Sequence, residues 1–485
     1  MTFLDKSVWQ GKAFSGGWKQ VGGGESAVIE PATGNELGRV GIASPADIAA
    51  ATQAAAAAQQ AWAATPYTQR AAILRRAGDI WLANAAEIED WSVREGGKIP
   101  PAAQFETHVA TEEVFEAATL PGRPYGDLLP SEQPHLSFAE RVPVGVVGVI
   151  SPFNFPQILA IRSVAPALAL GNAVVLKPDP RTAVCGGVVL ARIFEEAGLP
   201  DGLLHVLPGG ADVGEALVTD PRVGVISFTG STAAGRKVGA LAGQHLKRVH
   251  LELGGNSALI VLDDADLAAA ASAGAWGSFL HQGQICMTAG RHLVQEAVYD
   301  DYVARLAEKA GHLPVGDPAS GQVALGPIID ERQRDKVHAL VTGSVEAGAR
   351  LAAGGTYEGL FYSPTVLADV APAMPAYASE VFGPVAPVVR FATLEEAAKL
   401  AADSEYGLSL GILTRDVMRG LELARKIPTG IVHINDQTVD DSPNTPFGGI
   451  RASGTGARFG GSANLDAFTD TRWVTIRGEI APYPF

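Results

Sequence analysis

VPVGVVGVI, Val142–Ile150, is uncharged and rich in β-branched residues. A strand with one wet face alternates apolar and polar side chains. This one is apolar on both faces, so it is expected inside a sheet covered on both sides. Similar runs bounded by Gly and Pro recur at Ala173–Leu176, Leu203–Leu207, Val223–Phe228, Val249–Leu253 and Ser257–Leu262. Helix-forming segments lie between several of them: Ile158–Leu170, Thr182–Ala197 and Ala233–Ala242. Strand and helix in alternation predict an α/β fold with a mostly parallel sheet and helices on both faces. After Cys286 the alternation resumes, with the strand-like SLGILT at Ser409–Thr414, and predicts a second α/β unit.

Upstream, Ala46–Ala64 follows the cap signal Ser44-Pro45 and is a strong helix former, with an amphipathic helix expected next over Gln69–Ile88. Leu120–Pro134 is rich in Pro and Gly and reads as an extended crossing or a boundary.

The chain has 485 residues, which suggests about three domains. With 47% hydrophobic and 18% charged residues it can bury a large core, which excludes a disordered chain. Its 37 basic and 52 acidic side chains leave a net charge of 37 − 52 = −15. Such a surface repels phosphate backbones and anionic lipid, so neither nucleic acid nor a membrane is an expected partner. Asp5 and Lys6 stand where a signal peptide needs apolar residues, and no run of about eighteen apolar residues occurs. The two cysteines, Cys185 and Cys286, cannot form a disulfide scaffold or a four-thiolate zinc site, and no metal-ligand motif appears. The expectation is a metal-free cytoplasmic protein.

No G-x-G-x-x-G, G-x-x-x-x-G-K-[ST] or H-E-x-x-H motif is present. Gly407-Leu-Ser-Leu-Gly411 matches the nucleophile elbow of serine hydrolases, which needs its Ser on a sharp strand-to-helix turn. Ser409 instead opens an apolar run that reads as the strand itself, and His433 is the only histidine downstream. The strand reading is preferred.

Cys286 is a better nucleophile. Cys185 lies in the apolar helix VCGGVVLA and reads as packing, whereas Cys286 follows Gly283 and the amides Gln282 and Gln284. On composition alone, catalysis and packing stand even for Cys286. Glu252 ends an apolar strand against a Gly pair, where poor solvation raises a carboxylate pKa and suits a general base. A solvated strand-end glutamate is the alternative. Asn154, in Pro152-Phe-Asn-Phe-Pro156, is an amide held by rigid neighbours, suited to an oxyanion hole or to a structural turn. Phe228-Thr-Gly-Ser-Thr232 runs from a strand into a helix N-terminus, where free amides bind phosphate, although Ser231 also serves as a plain N-cap.

Seven segments in order resemble the aldehyde dehydrogenase superfamily over nearly the whole chain. They are PFNFP at 152–156, KP at 177–178, FTGST at 228–232, LELGGN at 251–256, GQICMT at 283–288, EVFGP at 380–384 and PFGG at 446–449. The separation 286 − 252 = 34 is also similar. The resemblance implies a Rossmann-type cofactor domain (1–120 and 143–253), an α/β catalytic domain (254–450) and a small β oligomerisation arm (121–142 and 451–485). A homodimer or homotetramer is implied too.

The resemblance assigns Cys286 to attack the aldehyde carbon, Asn154 and the Cys286 amide to hold the oxyanion, and Glu252 to activate water against the resulting thioester. Lys177 resembles the residue on the adenosine ribose, Gly230 and Ser231 those beside the pyrophosphate. Glu380 resembles the carboxylate on the nicotinamide ribose, and Phe382 the aromatic beside the ring. NAD is the implied cofactor. Many relatives place Glu at the position of Pro180, next to Asp179, and its loss here leaves room for NADP.

HQGQICM (281–287) and KPDPRT (177–182) are similar to the benzaldehyde and vanillin dehydrogenase branch. The expected substrate is therefore an aromatic aldehyde, with Phe155, Ile285, Met287 and Phe447 lining an apolar channel and Arg162 favouring an oxygenated substituent. Aliphatic aldehyde or semialdehyde oxidation within the same family is the alternative. A CoA-acylating relative is disfavoured by the presence of Glu252.

Overall fold

The computed structural model describes residues 2–485. A seven-stranded sheet runs in the order Arg248–Glu252, Val223–Thr229, Val146–Ile150, Ala173–Lys177, Leu204–Val206, Ala13–Ser15, Trp18–Lys19. Its first five strands are parallel; Ala13–Ser15 joins antiparallel to Leu204–Val206, and Trp18–Lys19 forms the edge antiparallel to it. The strand Val146–Ile150 is central and buried along its whole length, as its two apolar faces require.

The run Val142–Ile150 is not one strand. Val142 and Pro143 end a different strand, Leu136–Pro143, and the chain turns at Gly145, whose φ of +103° is closed to most side chains. The expected helix Gln69–Ile88 also divides, into Tyr67–Ala83 and Ala85–Gly96. Asn84 Nδ2 donates to the Ile80 carbonyl at 2.8 Å and stops the first helix there. Thr182–Ala197 opens instead as a wide turn over Val184–Val188 before the regular helix Val189–Glu196. Buried Glu95 accepts the Val184 and Cys185 amides at 2.8 and 2.7 Å, which accounts for that opening.

A second seven-stranded sheet has the order Arg350–Ala353, Thr365–Ala368, Val385–Phe391, Ala289–Gln295, Ser257–Val261, Ser409–Leu413, Ile431–Ile434, parallel except at its first strand. A three-stranded antiparallel sheet joins Thr469–Ile476, Leu136–Pro143 and Gly126–Leu128. Residues 451–468, expected in the arm, return instead to the first sheet: the Leu253 amide donates to the Ser453 carbonyl at 2.9 Å, and Phe459 and Phe468 join that sheet's core. No helix among the described residues is long and apolar enough to cross a membrane.

The helix Pro156–Ala169 follows Asn154 directly, and all of its residues are buried. A helix apolar all round is a core helix, so each polar residue on it needs a partner. The Ser163 and Ser227 hydroxyls lie 2.9 Å apart, and Glu106 accepts the Gln157 backbone N–H at 2.9 Å and its side-chain amide at 3.5 Å.

Candidate active site

The C-terminal ends of the parallel strands of the first sheet open onto a cavity of about 630 Å³. Asn154 and Lys177 enter it from the ends of Val146–Ile150 and Ala173–Lys177, and Gly230 and Ser231 from the turn after Val223–Thr229. Cys286, Glu380 and Phe382 close it from the other sheet. Residues separated by more than 200 positions in sequence thus meet in one cleft between two α/β units, a common place for a ligand.

Glycines let these pieces approach. A Cβ on Gly255 would sit 2.2 Å from the Cys286 carbonyl oxygen, and one on Gly254 would sit 2.5 Å from a Glu380 carboxylate oxygen. One on Gly448 would lie 2.7 Å from Glu252 Oε1. LELGGN therefore lies with Gly255 against the GQICMT backbone and Gly254 against the EVFGP glutamate side chain, and PFGG closes on Glu252.

Asn154 is buried, and its side-chain amide donates to the Gln284 carbonyl at 2.9 Å. One N–H fixes the amide and leaves a second donor for an oxyanion. Cys286 is partly buried in the wall of the cavity. Burial, and next the nearby Glu380 carboxylate, push its thiol up to about 12, while Arg162 pulls the other way. In the cofactor-free enzyme, iodoacetamide labelling of Cys286 is therefore expected to speed up about tenfold per pH unit from pH 7 to 10, because the thiolate fraction grows at that rate below the pKa. Peptide mass spectrometry checks this, and a plateau below pH 9 would show a pre-activated thiol instead. Cys185, wholly buried beside Glu95, is expected to stay unlabelled.

Glu252 ends the strand Arg248–Glu252 and is buried. Its Oε2 accepts the Gly449 amide at 3.2 Å, and Oε1 has no partner. Burial raises its pKa well above the ordinary carboxylate range, against the pull of the Gly449 amide, Arg162 and Arg458. Glu380, half-buried in the cavity wall, rises to about 7 by desolvation, with Gly255 N–H on its Oε1 at 3.0 Å.

The residues assigned to the cofactor fit it physically. Ser231 caps the 13-residue helix Thr232–Gln244, whose N-terminus faces the cavity with the positive dipole end that suits an anion. Lys177 adds a cation to the lining of the cleft. Phe382 holds the left-handed region at φ +56° and meets Phe153 edge-on at 6.0 Å. Asp179, beside Pro180, lines the cavity, and its carboxylate pairs with Arg181 at 2.8–2.9 Å and caps the Arg181 amide. Pro180 faces a neighbouring groove with Ser26 and Ile29.

Among the described residues, none of Phe155, Arg162, Ile285, Met287 and Phe447 lines this cavity; all five are buried. Arg162 is already paired with Asp441, lies 3.9 Å from Glu113, and stacks over Phe447 at 4.5 Å. Its Nε and Nη1 remain without a partner. Ser409 forms no elbow. It opens the strand Ser409–Leu413, and its buried hydroxyl donates to the Thr438 carbonyl at 2.8 Å.

Sequence reasoning missed Asp441, Glu113, Phe459 and His250. A buried arginine in an apolar helix signals some acidic partner, but nothing in the sequence says which acid folds back onto it.

Residues 18–474 match the model of the aldehyde dehydrogenase family. The chain is 70% identical to a vanillin dehydrogenase of an Amycolatopsis species over the full length of both, and 52% identical to a benzaldehyde dehydrogenase [NAD(+)] of Pseudomonas putida over 99% of each. Its fold superposes with a TM-score of 0.95 on a salicylaldehyde dehydrogenase from Pseudomonas putida G7 crystallised with salicylaldehyde, at 35% identity over 98% of this chain and 100% of that one. On the cysteine-lined cleft, the match along its length and these relatives, the chain is a member of the aldehyde dehydrogenase family.

Proposed function

We propose that the protein is a cytoplasmic, homo-oligomeric enzyme that oxidises an aromatic aldehyde of the benzaldehyde or vanillin type to its acid with NAD. The observation that carries this reading is the single cleft lined together by Cys286, Asn154, Lys177 and the Ser231 helix terminus. The names of the 70% and 52% identical relatives support the aromatic class and NAD. Phe155, Ile285, Met287 and Phe447 belong to the same apolar core that Cys286 packs against, which suits an apolar substrate.

In this reading the Cys286 thiolate adds to the aldehyde carbon, and the free Asn154 N–H takes up the developing oxyanion, worth about 10²–10³ in rate. Lys177, Gly230, Ser231, Glu380 and Phe382 would hold NAD, which would supply the acceptor for the hydride lost from the thiohemiacetal carbon as its oxyanion becomes the thioester carbonyl. Glu252, as carboxylate, takes a proton from water, which adds to the thioester carbonyl and expels the Cys286 thiolate with release of the acid. For assembly, the exposed Leu128, Trp473 and Ile476 on the three-stranded sheet favour burial against a second copy.

The test is initial-rate reduction of NAD and of NADP with benzaldehyde, vanillin and a short aliphatic aldehyde. Aromatic aldehydes are expected to exceed the aliphatic one in kcat/KM by at least about tenfold, the value of a few buried methylenes. The reverse order would keep the chemistry and overturn the substrate class. With Pro180 in place of a repelling carboxylate and Asp179 tied to Arg181, measurable turnover with NADP is expected beside NAD.

A further inference from the structure

His250 stands two residues before Glu252 on the same strand, so both side chains leave the same face. Its ring is buried and stacked on Phe459, with centroids 3.8 Å apart and planes 17° from parallel. Nε2 lies 3.8 Å from Glu252 Oε1. That oxygen and both imidazole nitrogens are buried and have no other partner. A phenylalanine would supply the stacking alone. Two buried nitrogens left unpaired cost free energy unless some state of the enzyme uses them.

We propose that His250 is the positioning residue of the hydrolytic base: it donates Nε2–H to Glu252 Oε1 when the carboxyl turns from the Gly449 amide to work on water. The inference rests on the reading of Glu252 given above. A closure of about 0.8 Å makes the bond, and the Phe459 stack keeps the imidazole from swinging elsewhere. The charges facing the pair are Arg162 from the buried helix, Arg458 from the C-terminal segment, Arg248 on the same strand and Asp441 from the loop before PFGG. Burial and then the three arginines hold the imidazole neutral, its pKa lowered to about 3. His250 is therefore a fixed N–H donor that exchanges no proton with Glu252.

A donor to a carboxylate favours the charged form, so its loss raises the carboxyl pKa further. Phenylalanine at 250 is expected to move the acid limb of the kcat–pH profile up by about one unit. Below that limb kcat would then be about tenfold lower, since one unit is a tenfold change in the active fraction. Deacylation becomes limiting, and stopped-flow traces of the full-length enzyme show a burst of reduced cofactor. His250→Gln keeps an N–H at similar reach and returns the limb to the wild-type position.

A wild-type limb and no burst in His250→Phe, or equal shifts in His250→Phe and His250→Gln, would overturn the proposal in favour of packing. Should His250→Phe fail to fold, the limb of His250→Gln decides: unchanged supports the donor, shifted overturns it. Glu252→Gln, run alongside, separates the two readings. Deacylation at the wild-type rate in that variant defeats the role of Glu252 itself.

Discussion

Replacing Cys286 by alanine is expected to lower kcat/KM by a factor on the order of 10⁴–10⁶ with every aldehyde, the scale seen when an enzyme loses its nucleophile. The substitution removes one sulfur from a partly buried position at the edge of the main core, so folding survives and circular dichroism and cofactor affinity are expected to stay near wild type. Asn154, Glu252 and the Ser231 helix terminus remain in place, which makes the loss a loss of bond formation. Neither other candidate can take over. Cys185 is buried beside Glu95, and the Ser409 hydroxyl is spent on the Thr438 carbonyl. Cysteine-independent turnover at more than about one-hundredth of the wild-type rate would overturn the covalent mechanism.

Glu252→Gln is expected to slow deacylation by about 10²–10⁴, the usual contribution of a general base, while leaving acylation almost untouched. The result is one equivalent of reduced cofactor per active site, followed by a near halt and an acyl mass on the Cys286 peptide. Glutamine is the right probe, because its carbonyl oxygen still accepts the Gly449 amide and its volume preserves the contact with Gly448. For the wild type the sign of the pH dependence follows from the raised pKa. Below that pKa the carboxyl is protonated and cannot take a proton from water, so deacylation should climb as pH rises toward it. Glu252→Gln should lose that climb. Unimpaired steady-state turnover in the variant would show that another group activates the water.

Much of this site was legible before any coordinates. The parallel-sheet architecture followed from runs apolar on both faces, because local periodicity and burial are properties of a short stretch. Cys286, Glu252 and Asn154 stood out because each lies in a motif whose small and polar residues are out of place in ordinary packing; Cys286 and Asn154 line the cleft, and Glu252 is buried outside its lining. The division of Val142–Ile150 into two strands was not readable. That run is uniformly apolar, and only the antiparallel pairing of Val142 and Pro143 with Asp470 and Thr469, across more than 300 residues, assigns its first part to another sheet.

Contacts between distant segments were decided by the tertiary structure alone. Gly448 closing on Glu252, Asp441 reaching Arg162 and Phe459 stacking on His250 all depend on the C-terminal segment folding back over the first sheet. The same holds for Asp179, which Arg181 ties down before it can serve a ribose. Sequence determined which chemical groups the protein has and which stretches of backbone present them. Whether a given carboxylate is free, paired or buried is an energy of placement in low dielectric among partners hundreds of residues away, and only the folded chain sets that placement.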